Sequence, residues 1–153
     1  MKKLFLLLFI PFCIVAACKK SNDDPKPANA ERKALLTGTW KLTAQTYSPP
    51  FDYDQDGTTE TDAYAVLEPC QKDNLLTFLS DGTWKEDFGL LVCDWEDNPE
   101  GQWVLSEDGN MLTIDGEKCT IQQLDEHIFK IQVKFQKPED DVTYTVTLTM
   151  TRQ

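Results

Sequence analysis

The chain has 153 residues and a formal net charge of −11, with 15 lysines and arginines against 26 aspartates and glutamates. A field of that sign repels nucleic-acid phosphates and anionic lipid headgroups, so nucleic acid is excluded as a partner. Once a predicted leader of 17 residues is removed, the remaining chain is long enough for one domain with a single core. We expect this domain to be monomeric.

Residues 1–17 are predicted to be a signal peptide. Lys2 and Lys3 precede an apolar run from 4 to 15 that is too short to span a bilayer permanently. The run ends in "VAAC", which resembles a bacterial lipobox whose cysteine, Cys18, is lipidated and becomes the first mature residue. The alternative is an ordinary secretion signal followed by a chance cysteine. Removal of the two lysines leaves 13 basic and 26 acidic residues, so the only membrane contact expected is through the acyl chains.

Residues 18–34 are predicted to form the lipidated cysteine and a flexible tether. The segment "KKSNDDPKPANA" has no apolar period and contains Pro25 and Pro27. Its "SNDDP" part resembles the acidic stretch of surface-exported lipoproteins in Bacteroidetes-type bacteria, and the alternative is a solvated acidic linker. The expected location is the outer membrane, by lipid anchor, with exposure at the cell surface if the export interpretation holds.

Residues 35–153 show the pattern of a β-barrel domain. In "VTYTVTLTM" and "IFKIQVKF" apolar residues alternate with threonine, lysine or glutamine, as in strands with one buried face. About eight such runs occur, separated by turn sequences, without a long helix. The sequence therefore predicts an all-β fold, a small antiparallel up-and-down barrel of about eight strands.

Two turns predict how neighbouring strands pair. The three-residue "SDG" loop sets Phe78 across from Trp84, and the Asp-Gly turn in "SEDGN" sets Trp103 across from Ile114. In both hairpins this loop length brings large apolar side chains onto one face of the sheet.

A family resemblance rests on several segments in order. "LTGTWKL" places Gly38 and Trp40 at the start of the first strand, and Arg152 lies at the end of the last. These match the Gly-x-Trp and the arginine of lipocalins. "DYDQDG", "CQKDNLLTFLSDGTW", "LLVC" and "GQWVL" are similar to segments of lipocalin-like lipoproteins of Bacteroidetes. The resemblance covers roughly residues 35–153 and implies a calycin-like barrel in which Arg152 stacks on Trp40 as a structural clamp.

The cysteines of the domain predict one disulfide. An exported domain meets an oxidising compartment, and Cys70, Cys93 and Cys119 allow three pairings. Extension of the register set by Phe78 and Trp84 brings Cys70 within one residue of Cys93, and a bulge would absorb the difference. We therefore predict a Cys70–Cys93 bridge, with Cys119 as a buried free thiol.

The acidic stretch "FDYDQDGTTETD" begins like a calcium-binding loop. Alternate aspartates precede Gly57, which permits a sharp turn, but the twelfth position is Ala63 and the flanks are not helical, so an EF-hand is excluded. The alternative is a mobile acidic loop whose carboxylates repel one another. No organic cofactor is expected. The predicted ligands of a structural Ca²⁺ are Asp52, Asp54, Asp56, the Thr58 carbonyl, Glu60 and Asp62.

The sequence predicts no enzyme. The single histidine, His127, is expected to be exposed in a turn, and neither a phosphate-binding loop nor a nucleophile motif occurs. Two classes remain: a protein that binds a small apolar or amphipathic ligand in the barrel, which the lipocalin resemblance favours, and a structural or interaction module with a filled barrel. The side chains predicted to line the interior are Trp40, Phe78, Trp84, Phe88, Trp103, Phe129, Phe135 and Tyr144.

Overall fold

The computed structural model describes residues 28–91, 93, 99–138 and 141–153. Predictions for the signal peptide and for Cys18 lie outside these residues. Two helices are described, α1 (Ala28–Leu36) and α2 (Pro69–Lys72), and neither is long and apolar enough to cross a membrane. The described strands are β1 (Gly38–Phe51), β2 (Glu60–Asp62), β3 (Leu75–Phe78), β4 (Thr83–Asp87), β5 (Glu100–Leu105), β6 (Met111–Ile114), β7 (Glu117–Leu124), β8 (Ile128–Gln136) and β9 (Thr143–Arg152).

Eight of these strands close an antiparallel up-and-down barrel, as predicted. Each strand from β3 to β8 pairs with the next strand in sequence, and β1 pairs with both β3 and β9. Trp40 therefore faces Leu76 on one side and Arg152 on the other. The short β2 pairs with the second half of β1 and stands outside the eight-strand cycle. Both predicted hairpin registers are confirmed, because β3 and β4 pair Phe78 with Trp84 while β5 and β6 pair Trp103 with Ile114.

The two ends of the barrel are built differently. Because successive connections of an up-and-down barrel alternate between ends, helix α1 shares one end with the turns that follow β3, β5 and β7. We call this the closed end. The other end, the aromatic end, carries the connections that follow β1, β4, β6 and β8, among them the long segment 52–74.

Helix α1 caps the closed end and shortens the predicted tether. It begins at Ala28, inside the range 18–34 assigned to a flexible segment, so the domain starts earlier than predicted. Arg32 Nε donates a hydrogen bond to the Gly109 carbonyl at 2.7 Å. The helix is also held by its last residue, Leu36, which is fully buried in the core of the barrel.

The core fills the closed half of the barrel. Phe129 lies at its centre, with ring centroids 5.5 Å from Trp40 and 5.8 Å from Phe78. Full burial of a large apolar side chain stabilises the fold by roughly 1.5–3 kcal/mol. The buried cluster comprises Leu36, Trp40, Phe78, Trp103, Leu112, Cys119, Ile121, Leu124, Phe129, Ile131 and Met150.

Candidate functional site

Half of the aromatic residues predicted to line a ligand belong instead to the packed core. Trp40, Phe78, Trp103 and Phe129 are each at most 3% exposed. Rings in a close-packed core leave no space for a ligand unless the core is rearranged. These four side chains face the interior, as predicted. They belong to the packed core, however, and not to a ligand site.

Trp84 and Phe88 lie at the margin of the barrel. Trp84 packs on the core but is partly exposed, and its indole Nε1 donates a hydrogen bond to Asp115 Oδ2 at 2.9 Å. Phe88 follows the last residue of β4, Asp87, and is partly exposed. Trp84 pairs with Phe78 and so shares its inner face of the sheet, but neither Trp84 nor Phe88 is fully buried.

The remaining two predicted residues belong to a second aromatic group at the other end. Phe135 and Tyr144 pair across β8 and β9, and their rings stack with centroids 5.4 Å apart. Phe51 packs edge-on against both, at 5.3 Å and 5.1 Å. This aromatic cluster consists of Tyr47, Phe51, Tyr53, Phe135 and Tyr144.

A β-bulge explains why Tyr47 and Phe51, two members of the aromatic cluster, are not among the predicted interior residues. The pairing of β1 with β9 slips between Leu42 and Ala44, so inward-facing positions change from even to odd numbers. Tyr47, which strict alternation from Trp40 would place outside, is therefore 8% exposed and pairs with Val146. The Pro-Pro sequence before Phe51 further obscures the strand pattern.

Polar groups lie beneath and beside the aromatic cluster. Gln45 is the one buried polar residue among those described, and its Nε2 donates to the Tyr47 hydroxyl at 3.0 Å. Burial raises the pKa of Tyr47, the Gln45 bond lowers it, and Tyr53 raises it slightly, so the phenol remains protonated at neutral pH. Lys137 Nζ lies 4.2 Å from the centroid of Phe51, which places a cation at the rim.

A disulfide connects two loops of the aromatic end, and its predicted pairing is confirmed. Cys70 and Cys93 are bridged, with a Cα–Cα distance of 5.7 Å. Cys70 lies in helix α2 rather than in an extended strand, so the predicted route to the pairing was wrong in detail. Cys119 is buried and free, also as predicted, and burial raises the pKa of its thiol, as does Glu117 to a lesser extent.

The loop after β4 presents two apolar side chains to solvent. The Leu90 and Leu91 backbone N–H groups donate to Asp73 Oδ2 at 2.9 Å and 3.0 Å. Leu90 is 96% exposed and Leu91 50% exposed. The carboxylate holds the backbone, so these leucines stay outside the core although burial would be favourable.

Three of the predicted calcium ligands converge. One carboxylate oxygen from each of Asp52, Asp54 and Glu60 lies within 4.8 Å of the others. Asp52 Oδ1 is buried and accepts no hydrogen bond, while Asp52 Oδ2 accepts one from the Gly57 N–H at 3.3 Å. Oxygen atoms at such separations are the ligands that Ca²⁺ prefers.

Two of the predicted carboxylate ligands of calcium, Asp56 and Asp62, do not join this group. Asp56 Oδ1 instead accepts a hydrogen bond from the Thr58 N–H at 2.7 Å. Asp62 lies exposed in β2, paired with Thr46. A second group, Glu68 with the two bridged cysteines, offers no thiolate to a metal because both sulfur atoms are in the disulfide.

The predicted clamp between Arg152 and Trp40 is present at the closed end. The guanidinium carbon lies 4.4 Å from the Trp40 ring centroid. The same guanidinium donates hydrogen bonds to the carbonyls of Glu126 at 2.9 Å, Thr37 at 3.1 Å and Leu35. It thereby ties the start of β1, the turn after β7 and helix α1 together.

Gly38 and His127 lie beside this clamp. A Cβ atom at Gly38 would overlap Arg152 Nη1, and the residue has φ +136°, so only glycine fits between the helix and the arginine. His127 is exposed in the turn, as predicted, and its carbonyl accepts a hydrogen bond from the Arg152 backbone N–H at 3.0 Å. Both residues therefore have structural explanations.

Comparison with known proteins places this barrel in a family without assigning it an activity. No curated protein matches the sequence. A family model described as "Domain of unknown function (DUF5004)" matches residues 17–152, so the chain belongs to that family.

Proposed function

We propose that the protein is a cell-envelope lipoprotein whose barrel binds one small apolar or amphipathic ligand at the aromatic end. The observation that carries the proposal is the difference between the two ends. The closed half is filled by fully buried rings, whereas four of the five rings of the aromatic cluster remain partly exposed. Partly exposed rings on the inner face of a barrel offer apolar surface that a ligand can cover.

The surroundings of the aromatic cluster support an amphipathic ligand. The rings would cover its apolar body, and Lys137 at the rim would attract a negatively charged group. The Tyr47 hydroxyl and the Gln45 amide supply hydrogen-bonding groups beneath the rings. Few convergent polar groups in an apolar setting are typical of small-molecule sites.

The amphipathic dye 1-anilinonaphthalene-8-sulfonate tests the proposed ligand site, because it combines two aromatic systems with one anionic group. We expect one dye molecule per chain. Phe51→Ala or Tyr144→Ala should weaken its affinity about tenfold, since a lost ring contact is worth ~1.5 kcal/mol. Fluorescence titration measures the affinity, and Val104→Ala serves as control because Val104 is 64% exposed on the outer side of β5.

The alternative is an interaction module with a filled barrel, and one specific feature favours it. Leu90 and Leu91 are held in solvent by Asp73, close to the disulfide that fixes the same loop. The dye separates the two candidates. If Leu90→Ser with Leu91→Ser abolishes dye binding and the ring variants do not change it, the apolar surface lies outside the barrel and the ligand proposal fails.

The lipid anchor is tested at Cys18. We expect wild-type protein to fractionate with membranes and Cys18→Ala to be released or to remain unprocessed, because stable anchoring requires the acyl chains. Cys13→Ala is the matched control, since Cys13 lies within the predicted signal peptide and should change nothing. Retention of Cys18→Ala in membranes at the mature apparent mass would contradict lipidation.

A structural Ca²⁺ is the proposed cofactor of the segment 52–62. Its support is the convergence of Asp52, Asp54 and Glu60 together with the buried, unpartnered oxygen of Asp52. Three carboxylates so close repel one another, and a divalent cation would remove that repulsion. The ion would hold the segment that follows Phe51, next to the aromatic cluster, without a catalytic role.

A further inference from the structure

Charged side chains are unevenly distributed between loops and strands. Acidic residues dominate the chain as a whole, yet strands β1, β7, β8 and β9 contain a single carboxylate, Glu117, at the start of β7. The same strands contain four lysines, Lys41, Lys118, Lys130 and Lys134. In an otherwise acidic protein this part of the barrel wall is locally basic. At physiological ionic strength charges are screened over about 8 Å, so a partner in contact with the wall experiences mainly these lysines.

The outer face of this wall is polar and regular. Every second residue of β9 from 143 to 151 is a threonine, and these threonines pair with outward-facing residues of β8, such as Gln132 with Thr147 and Lys134 with Thr145. Gln132 Nε2 donates to the Thr147 hydroxyl at 3.2 Å. By strand alternation the aromatic residues of β8 and β9 face inward. The wall therefore offers hydroxyls, amides and ammonium groups, without an aromatic platform.

Two lysines of the wall share one cleft. The pairing of β7 with β8 ends at Thr120 and Gln132, and beyond this pair a cleft of about 360 Å³ is lined by Lys118, Thr120, Gln122, Gln132 and Lys134. The register, continued by one step on the same face, sets Lys118 opposite Lys134. Like charges opposite each other on neighbouring strands are destabilising. Among the residues that the structure describes, the one ion pair is Lys85 with Glu100, so neither lysine of the cleft has a carboxylate partner.

We propose that the outer wall of β7, β8 and β9 is a docking surface for an acidic polysaccharide, with one of its carboxylates between Lys118 and Lys134. A uronate group would neutralise the repelling ammonium groups. The sugar hydroxyls would exchange hydrogen bonds with Thr120 and Gln132, whose side chains both donate and accept. This site is separate from the aromatic end and does not depend on ligand binding there.

The chemistry of the wall favours a polysaccharide over other anionic partners. Proteins that hold single-stranded nucleic acid stack its bases on aromatic side chains, and interfacial membrane binding needs apolar side chains that insert into lipid. The outward-facing residues of β8 and β9 supply neither, apart from Ile128 at the first position of β8. Charge complementarity together with hydroxyl and amide groups matches a chain of acidic sugars.

Affinity electrophoresis of the full-length protein in non-ionic detergent tests the docking surface. The probe is polygalacturonate, with dextran as the uncharged polysaccharide. We expect polygalacturonate, but not dextran, to retard the protein. The double variant Lys118→Gln with Lys134→Gln should bind polygalacturonate about tenfold more weakly. In a plot of log affinity against log salt concentration, the slope for the double variant should be about two units less steep than for the wild type, one unit for each lost cation contact.

Lys85→Gln is the matched control, because Lys85 is an exposed lysine on β4, outside the docking surface. Its Nζ lies 3.7 Å from Glu100 Oε2. It should bind polygalacturonate like the wild type. The double lysine variant should melt no lower than the wild type, since the substitution removes a repulsion. The proposal is overturned if dextran retards the protein equally, or if Lys85→Gln weakens binding as much as the double variant.

Discussion

Arg152→Ala should lower the free energy of unfolding by about 3 kcal/mol, which for a domain of this size moves the melting midpoint by roughly 10 °C. The substitution removes the cation from the face of Trp40 and three hydrogen bonds from a charged donor. It also leaves the carbonyls of Leu35 and Thr37 without their guanidinium partner. Thermal and denaturant unfolding measure the change.

Arg32→Ala is the control for this prediction. Arg32 also lies at the closed end, but within the described part of the chain its guanidinium makes one hydrogen bond, to Gly109. Its loss should cost about 1 kcal/mol. Arg152→Lys should fall between the two, because lysine keeps the charge and loses the planar fork that bonds several carbonyls at once. Equal destabilisation by Arg32→Ala and Arg152→Ala would show that Arg152 does not act as a clamp.

Calcium should raise the stability of metal-free protein by about 2.7 kcal/mol at a hundred times its dissociation constant, through mass action alone. Asp52→Asn should remove most of this gain. Asp52 supplies the buried oxygen that has no hydrogen-bond partner, so it has the most to gain from the ion. Melting curves and calorimetric titration up to about 10 mM Ca²⁺ cover the affinity range of extracellular calcium modules.

Asp62→Asn is the matched control for calcium binding. The sequence pattern included Asp62 among the ligands, but the structure places it in β2, outside the converging group. Its substitution should leave the calcium effect unchanged. If calcium produces neither heat nor a shift in melting, "DYDQDG" is an acidic turn. If Asp62→Asn abolishes the effect, the ion binds in a different geometry.

The sequence predicts most of the barrel because local rules determine it. Turn length brings Phe78 opposite Trp84, and alternation in "VTYTVTLTM" defines the inner face of β9 from Tyr144 to Met150. Gly38, Trp40 and Arg152 come together because the first and last strands must pair to close the barrel. These features need only a period of two and short loops.

The candidate sites depend on features without a local signal. The bulge after Leu42 reverses the faces of β1 and moves Gln45 and Tyr47 inside, and nothing in the sequence marks that position. The path of the acidic loop decides that Asp54 and Glu60 turn toward Asp52 while Asp56 and Asp62 do not. Such choices are made by tertiary contacts, so residue spacing along the chain cannot supply them.

Closure of the barrel between its first and last strands sets the order in which the chain can fold. Arg152 bonds to Thr37 across this seam, although 115 positions separate them in the sequence. The entropy of closing so long a loop must be overcome before any seam contact stabilises the chain, which slows folding. Until β9 is in place, β1 and β8 each keep an unpaired edge on which other chains can add. Loss of the ten residues of β9 would therefore turn a closed barrel into an open sheet with two such edges.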